Sequence, residues 1–259
     1  SGELNDPVRG IAAGDADDDG GAEFVIGTRS GEVLAYHRSG SDYVQDGSTI
    51  DTGRVDAYGI AIADLDGDDD MLVTNGFAFD TMDMDASLRI KSAQQSGSKD
   101  ARALYEMKKL QPRYNSPNML FRNEGRLRFT DVGEEFGFAH DGITYGLGVA
   151  DFDNDGDLDL VTNNLNEPPS LYRNTSQEPR LQVRLPRGGV GSKVRLETPG
   201  GAVTREIVSG GGYLSSDSGE VVFAAGRLGR AAALVIEWRD GSVPTRIERP
   251  SANSIYTVT

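Results

Sequence analysis

Cysteine is absent from the 259 residues, which excludes disulfides, thiolate zinc sites and cysteine nucleophiles. Histidine is scarce. His37 and His140 are the only two, they lie far apart in the chain, and neither sits in a nucleophile motif, so both read as surface or loop residues. Basic residues are the minority, 26 against 41 acids, and the net charge of −15 argues against nucleic acid and anionic membrane surfaces as partners. No apolar run approaches the length of a membrane span, so membrane insertion is not expected. The serine-rich stretch from Ser209 to Ser218 contains no G-x-S-x-G elbow and reads as a turn region. The single tryptophan, Trp238, reads as a packing residue on a strand.

Glycine and acidic residues are plentiful, and the acids are clustered. Asp15, Asp17, Asp18, Asp19 and Glu23 form one group, Asp64, Asp66, Asp68, Asp69 and Asp70 a second, Asp151, Asp153, Asp155, Asp157 and Asp159 a third. Each group interrupts the same plan: a small-residue strand, the acid loop, an apolar strand, then a short aromatic strand. The three copies begin GIAAGDADDDGGAEFVIGT, YGIAIADLDGDDDMLVTNG and YGLGVADFDNDGDLDLVTNN. The first two loops are spaced by about one four-stranded propeller blade. The wider second spacing implies an insertion at about 77–117, in which Ala101, Leu104, Met107 and Leu110 recur at helical spacing. After it, Asn123-Glu124-Gly125 suits a hairpin turn. Near residue 177 the acid loops stop, and short strands separated by glycine-rich turns follow, as in a small antiparallel sandwich or barrel.

The loops suggest calcium. That ion takes six to eight oxygens, and carboxylates at alternate positions of a tight loop can converge on it. In the third loop the spacing assigns side-chain oxygens of Asp151, Asp153, Asp155 and Asp159 and the carbonyl of Asp157, with Gly156 at the bend. The first loop repeats this with Asp15, Asp17, Asp19 and Glu23, and the Gly21 carbonyl inward. The second is shortened: Asp64, Asp66 and Asp68 are followed by Asp69 where glycine is expected, and Asp70 closes the set. Two calcium sites are expected from the first and third loops, and the second is an open case. Solvated acidic turns are the alternative, but carboxylates crowded about 5 Å apart repel by roughly 3 kcal/mol per pair at an effective dielectric of 20. The helix–loop–helix calcium hand is excluded, because Ile26 and Thr162 stand where it needs a glutamate and the flanks are strand-like. Glycosidase chemistry needs one carboxyl in a dry site, whereas these acids lie in loops suited to charged ligation, so an enzyme is not expected.

YGLGVADFDNDGDLDLV, its two weaker copies and the closing LFRN and LYRN resemble FG-GAP/VCBS repeats of integrin-α-like β-propellers. VGSKVRLETPGG, TREIVSGGGYLSSD and ALVIEWRDG resemble an ASPIC/UnbV domain, and the pairing is similar to that of cartilage-acidic-protein-like secreted proteins. The resemblance implies an all-β protein: an incomplete β-propeller of three blades over residues 1–176, one with a helical insertion, and an antiparallel β-sandwich-like module over 177–259. Such propellers have more than three blades, so further blades are expected from a longer chain or another copy. Ser1-Gly2 looks like a processed, cloned or truncated start, and no signal peptide is present. The implied role is a calcium-binding extracellular or periplasmic recognition and adhesion scaffold with a protein or glycan ligand. The alternative is a non-catalytic accessory module of a larger secreted hydrolase or lyase.

Overall fold

Three stretches in which glycine and alanine alternate with larger aliphatic residues each become the first strand of a sheet in a computed structural model of the chain. The structure describes residues 6–14, 16, 23–40, 42–52, 57–76, 79, 83–96, 101–114, 116–185, 189–208, 210–212, 215–226, 228 and 232–259. Strands β1 (Val8–Gly14), β2 (Glu23–Thr28), β3 (Glu32–Ser39) and β4 (Asp42–Asp51) form an antiparallel meander. The plan repeats with β5 (Ala57–Asp64) and β6 (Asp69–Asn75), then with β7 (Met119–Asn123) and β8 (Phe129–Asp131) after the insertion. A third copy has three strands, β9 (Thr144–Ala150), β10 (Asp159–Asn164) and β11 (Ser170–Tyr172).

Among its described residues the insertion holds two helices rather than the one that periodicity indicated. Helix α2 (Ala101–Lys108) lies where it was expected, and α1 (Met84–Ser96) precedes it. The α1 sequence has little apolar periodicity, and Met84 and Leu88 are exposed, so no buried stripe announced it. A local signal was present: Asp83 Oδ1 accepts the Ala86 N–H at 2.7 Å, an N-cap bond. No described helix is long and apolar enough to cross a membrane. The hairpin at Asn123-Glu124-Gly125 is formed, with Glu124 N donating to Arg128 O at 2.7 Å.

The C-terminal part begins with β12 (Arg180–Arg184), β13 (Lys193–Thr198), β14 (Gly201–Glu206), β15 (Gly211–Gly212) and β16 (Ser215–Ser216). It ends with β17 (Glu220–Ala224), β18 (Ala233–Glu237), β19 (Thr245–Glu248) and β20 (Ser254–Thr257). One sheet has the order β17-β12-β20, another β14-β13-β18-β19, and β15 and β16 make a two-stranded ribbon. The class is all-β as expected, with a propeller-type arrangement. The detail differs, since five sheets of three or four strands are present among the described residues where three blades and a separate module were expected. Nor is pairing wholly antiparallel: β20 lies parallel to β12, because the chain crosses from β19 in one sheet to β20 in the other.

Packing between sheets follows the period-two alternation of strands. In β6, Met71 and Val73 face a core shared with the first sheet, whereas Leu72 faces a core shared with the third. In β17, Val222 joins that second core, while Val221 and Phe223 join a third core inside the C-terminal pair of sheets. Neighbouring first strands approach closely only because they are built of small residues. A Cβ on Gly14 would lie 2.4 Å from Cγ2 of Ile62 on the next sheet. The C-terminal part is tied on by polar bonds: Asp217 Oδ1 accepts the Val149 N–H at 3.0 Å, and Arg205 grips Asp69 with Nη1 at 2.8 Å and Nη2 at 2.5 Å.

Leu72 is fully buried between two sheets, so Leu72→Ala is expected to cost about 2–5 kcal/mol of stability in urea unfolding. Leu171→Ala, at an exposed position, should change it by no more than about 0.5 kcal/mol. Equal responses at the two positions would contradict this packing.

Candidate functional site

The acid loops connect the first and second strands of the first three sheets, all at the same ends of those strands. Strand register establishes which acids correspond. Glu23 pairs with Gly14, Asp70 with Ala63 and Asp159 with Ala150, in each case the residue just before the loop's first aspartate. Asp70 is therefore the closing acid of the second loop, despite the shortening. The bend moves accordingly: Gly67, at φ +133°, turns the second loop and Gly156, at φ +101°, the third, values that favour glycine.

In the third loop, carboxylate oxygens of Asp151, Asp153 and Asp159 lie within 4.8 Å of one another. Those of Asp66, Asp68 and Asp70 do so in the second. Both clusters can hold a metal ion. Asp64 lies at the base of the second loop, buried, where its Oδ1 accepts the Gly67 N–H at 2.9 Å and its Oδ2 has no hydrogen-bond partner. An unpartnered buried carboxylate oxygen beside three further carboxylates fits a hard cation. Asp155 stands apart from the third cluster: it accepts the Asp157 N–H at 3.3 Å and lies 3.4 Å from Arg173 Nη2. Of the first loop, only Glu23 among the assigned ligands is described. It is buried and accepts the Ala16 N–H at 2.8 Å, as Asp159 accepts that of Phe152 at 3.0 Å. Asp15, Asp17, Asp19 and Gly21 lie outside the described residues.

Charge in these loops is offset by groups that sequence reading did not assign. Arg184, from β12, reaches Asp151 Oδ2 at 3.0 Å and Asn154 Oδ1 at 3.2 Å, and its Nε lies 2.8 Å from Glu220. Arg173 Nε lies 2.6 Å from Asp153. Asp69, which sequence reading treated only as a displaced glycine, is the buried partner of Arg205. Two asparagines, Asn123 and Asn174, close the loops from behind. Each donates its backbone N–H to a closing acid, to Asp70 at 3.0 Å and to Asp159 at 2.8 Å. Their signal in the sequence was the recurrence of R-N after the aromatic strand, in LFRN and LYRN.

Burial pushes the Asp70 carboxyl up to about 8, with Asp66, Asp68 and Asp64 adding to the effect against the Asn123 N–H. Burial likewise raises Asp64 to about 6, opposed by Arg205, and Asp157 to about 7, aided by its hydrogen bond with Asp155.

Sequence comparisons agree with this layout. Residues 182–259 match the family described as ASPIC and UnbV, and residues 112–162 match the FG-GAP-like repeat. The chain carries an FG-GAP-like repeat and an ASPIC/UnbV domain. It is similar to cartilage acidic protein 1 of Mus musculus and of Homo sapiens, each 39% identical over 72 residues, and to that of Xenopus tropicalis at 36%. The matched segment is 27% of this chain and 11% of the length of each relative.

Asp64, Asp70 and Asp157 each hold a proton more tightly in the folded chain than in the unfolded one, where carboxyls titrate near about 4. As pH rises from about 4 to 8 the unfolded chain loses protons that the metal-free fold retains, so metal-free stability is expected to fall. A divalent cation needs the ionised ligands and displaces those protons, so its stabilising effect should grow over the same range. Melting curves at several pH values, with chelator and with calcium, test both trends. A metal-free midpoint that rose through this window would contradict the assignment.

Proposed function

We propose that this chain is a calcium-pinned recognition scaffold of an extracellular or periplasmic protein, with no catalytic role. The observation that carries the reading is the pair of carboxylate clusters, Asp66, Asp68 and Asp70 and Asp151, Asp153 and Asp159, built at register-equivalent ends of neighbouring sheets. Calcium suits them better than magnesium, which keeps its own waters and demands strict octahedral geometry. On this reading the second and third loops each hold an ion, with the Asp64 Oδ2 among the oxygens available to the second. The first loop, closed by Glu23, holds another. Residues 1–176 are the blade region and 177–259 the ASPIC/UnbV module.

What bound calcium supplies here is neutralisation of crowded carboxylates. The protein's own part is to fix the loops: Gly67 and Gly156 make the bends, and the closing acids are oriented by backbone N–H donors. Rigid loops along one rim of the sheets then present a surface to an extracellular protein or glycan. Extracellular calcium modules bind at about 10⁻⁴–10⁻³ M, which suits constant structural occupancy rather than signalling. The similarity to cartilage acidic protein 1 supports the extracellular setting.

Thermal unfolding in chelator, millimolar calcium and millimolar magnesium tests this. Calcium at a hundred times its dissociation constant is expected to stabilise by about 2.7 kcal/mol per independent site, and magnesium by much less. Asp151→Ala and Asp70→Ala should each remove one site's share. Identical midpoints in all three conditions would mean that the loops are solvated turns.

A further inference from the structure

Asn123 and Asn174 make the same four hydrogen bonds at equivalent places. The side-chain amide of Asn174 donates to Leu158 O at 3.3 Å in its own sheet and to Leu65 O at 2.8 Å in the preceding one. That of Asn123 donates to Asp69 O at 3.0 Å in its own sheet and to Ala16 O at 3.2 Å in the preceding one. In each case the near carbonyl belongs to the residue just before the closing acid, and the far one to the second residue of the neighbouring acid loop. The Oδ1 atoms are fixed too, accepting Ser176 N at 2.9 Å and Gly125 N at 2.8 Å. With the backbone N–H on Asp159 or Asp70, no polar group of either residue but its carbonyl is left to other partners. Asn123 is buried, and both residues join one loop's closing acid to the backbone of the next loop.

We propose that Asn123 and Asn174 are latches that couple cation binding in adjacent loops, an inference that rests on the calcium reading above. Leu65 lies between Asp64 and Asp66, so its carbonyl cannot shift without moving the second loop's ligands. Leu158 precedes Asp159, so the same amide sets the third loop's closing carboxylate. An ion that orders either loop therefore places the Asn174 amide for the other, and the effect must be equal in both directions. Arg180 also donates to Leu65 O, which steadies the far end of the latch from the ASPIC/UnbV module. In the first sheet, strand register puts Arg38 at the equivalent position, and its Nε turns to Gly40 O at 3.0 Å in its own sheet. The latch is thus a feature of the second and third sheets.

Calorimetric calcium titration of the full chain tests the coupling, with Asp153→Ala identifying the third-loop site. Asp66→Ala, which disables the second loop, is expected to weaken third-loop binding about fivefold, the low end of coupling between sites. In an Asn174→Ala background, Asp66→Ala should change third-loop affinity by less than about twofold, while Asn123→Ala should leave the full effect in place. Should Asn174→Ala fail to fold, judged by its circular dichroism in chelator, Asn174→Ser takes its place. A parent chain whose two sites bind independently overturns the latch and leaves calcium binding intact. So does an Asp66→Ala effect undiminished without the Asn174 amide. A parent chain that takes up no calcium overturns the metal reading itself, and the latch with it.

Discussion

Repulsion among carboxylates is the constraint on which the first three sheets turn. The second and third loops each concentrate acids within a few ångströms, and each must be held together by something positive. The fold supplies this in graded form: backbone N–H groups on the closing acids, guanidinium groups of Arg173 and Arg184 on the third loop, and Arg205 on Asp69 beside the second. What these groups leave uncompensated falls mainly on the second loop. There burial drives Asp64 and Asp70 towards the protonated form, and an Asp64 oxygen lacks a partner.

The same contacts join parts of the chain that are far apart in sequence. Arg205 and Arg184 come from the ASPIC/UnbV domain yet end on acids of the repeat region, and Asp217 continues the edge of β9 by accepting the Val149 N–H. Val222 adds an apolar contact to the core between the second and third sheets. The C-terminal domain is therefore not a separate bead on a linker. It lies against the repeats and contributes charge to the very loops that carry the acids, so its docking and the state of those loops are physically linked.

The repeat unit is more than a loop. A small-residue first strand allows close approach, an apolar second strand alternates between two cores, and the third strand ends in an arginine-asparagine pair that ties back to the acids. Asn123 and Asn174 fill in the last part of that unit. Each asparagine is worth most where its amide has two carbonyls from different sheets, because a buried amide left unpaired is costly.

Much of this was legible in the residues alone. The acid loops, their positions between strands, helix α2 and the hairpin at Asn123 all follow from local periodicity and turn chemistry, which depend on neighbours in sequence. Tertiary structure decided what local pattern cannot encode. It gave Asp70 its place as a closing acid through pairing register and moved the second bend to Gly67. It also turned Asp69 from a supernumerary acid into half of a buried ion pair. Helix α1 and the parallel pairing of β12 with β20 escaped the sequence for the same reason, since neither depends on a repeating apolar face within its own segment. The grouping of Asp151 with Asp153 and Asp159, and the contacts of Arg173 with Asp153 and Asp155, likewise depend on residues brought together only by the fold.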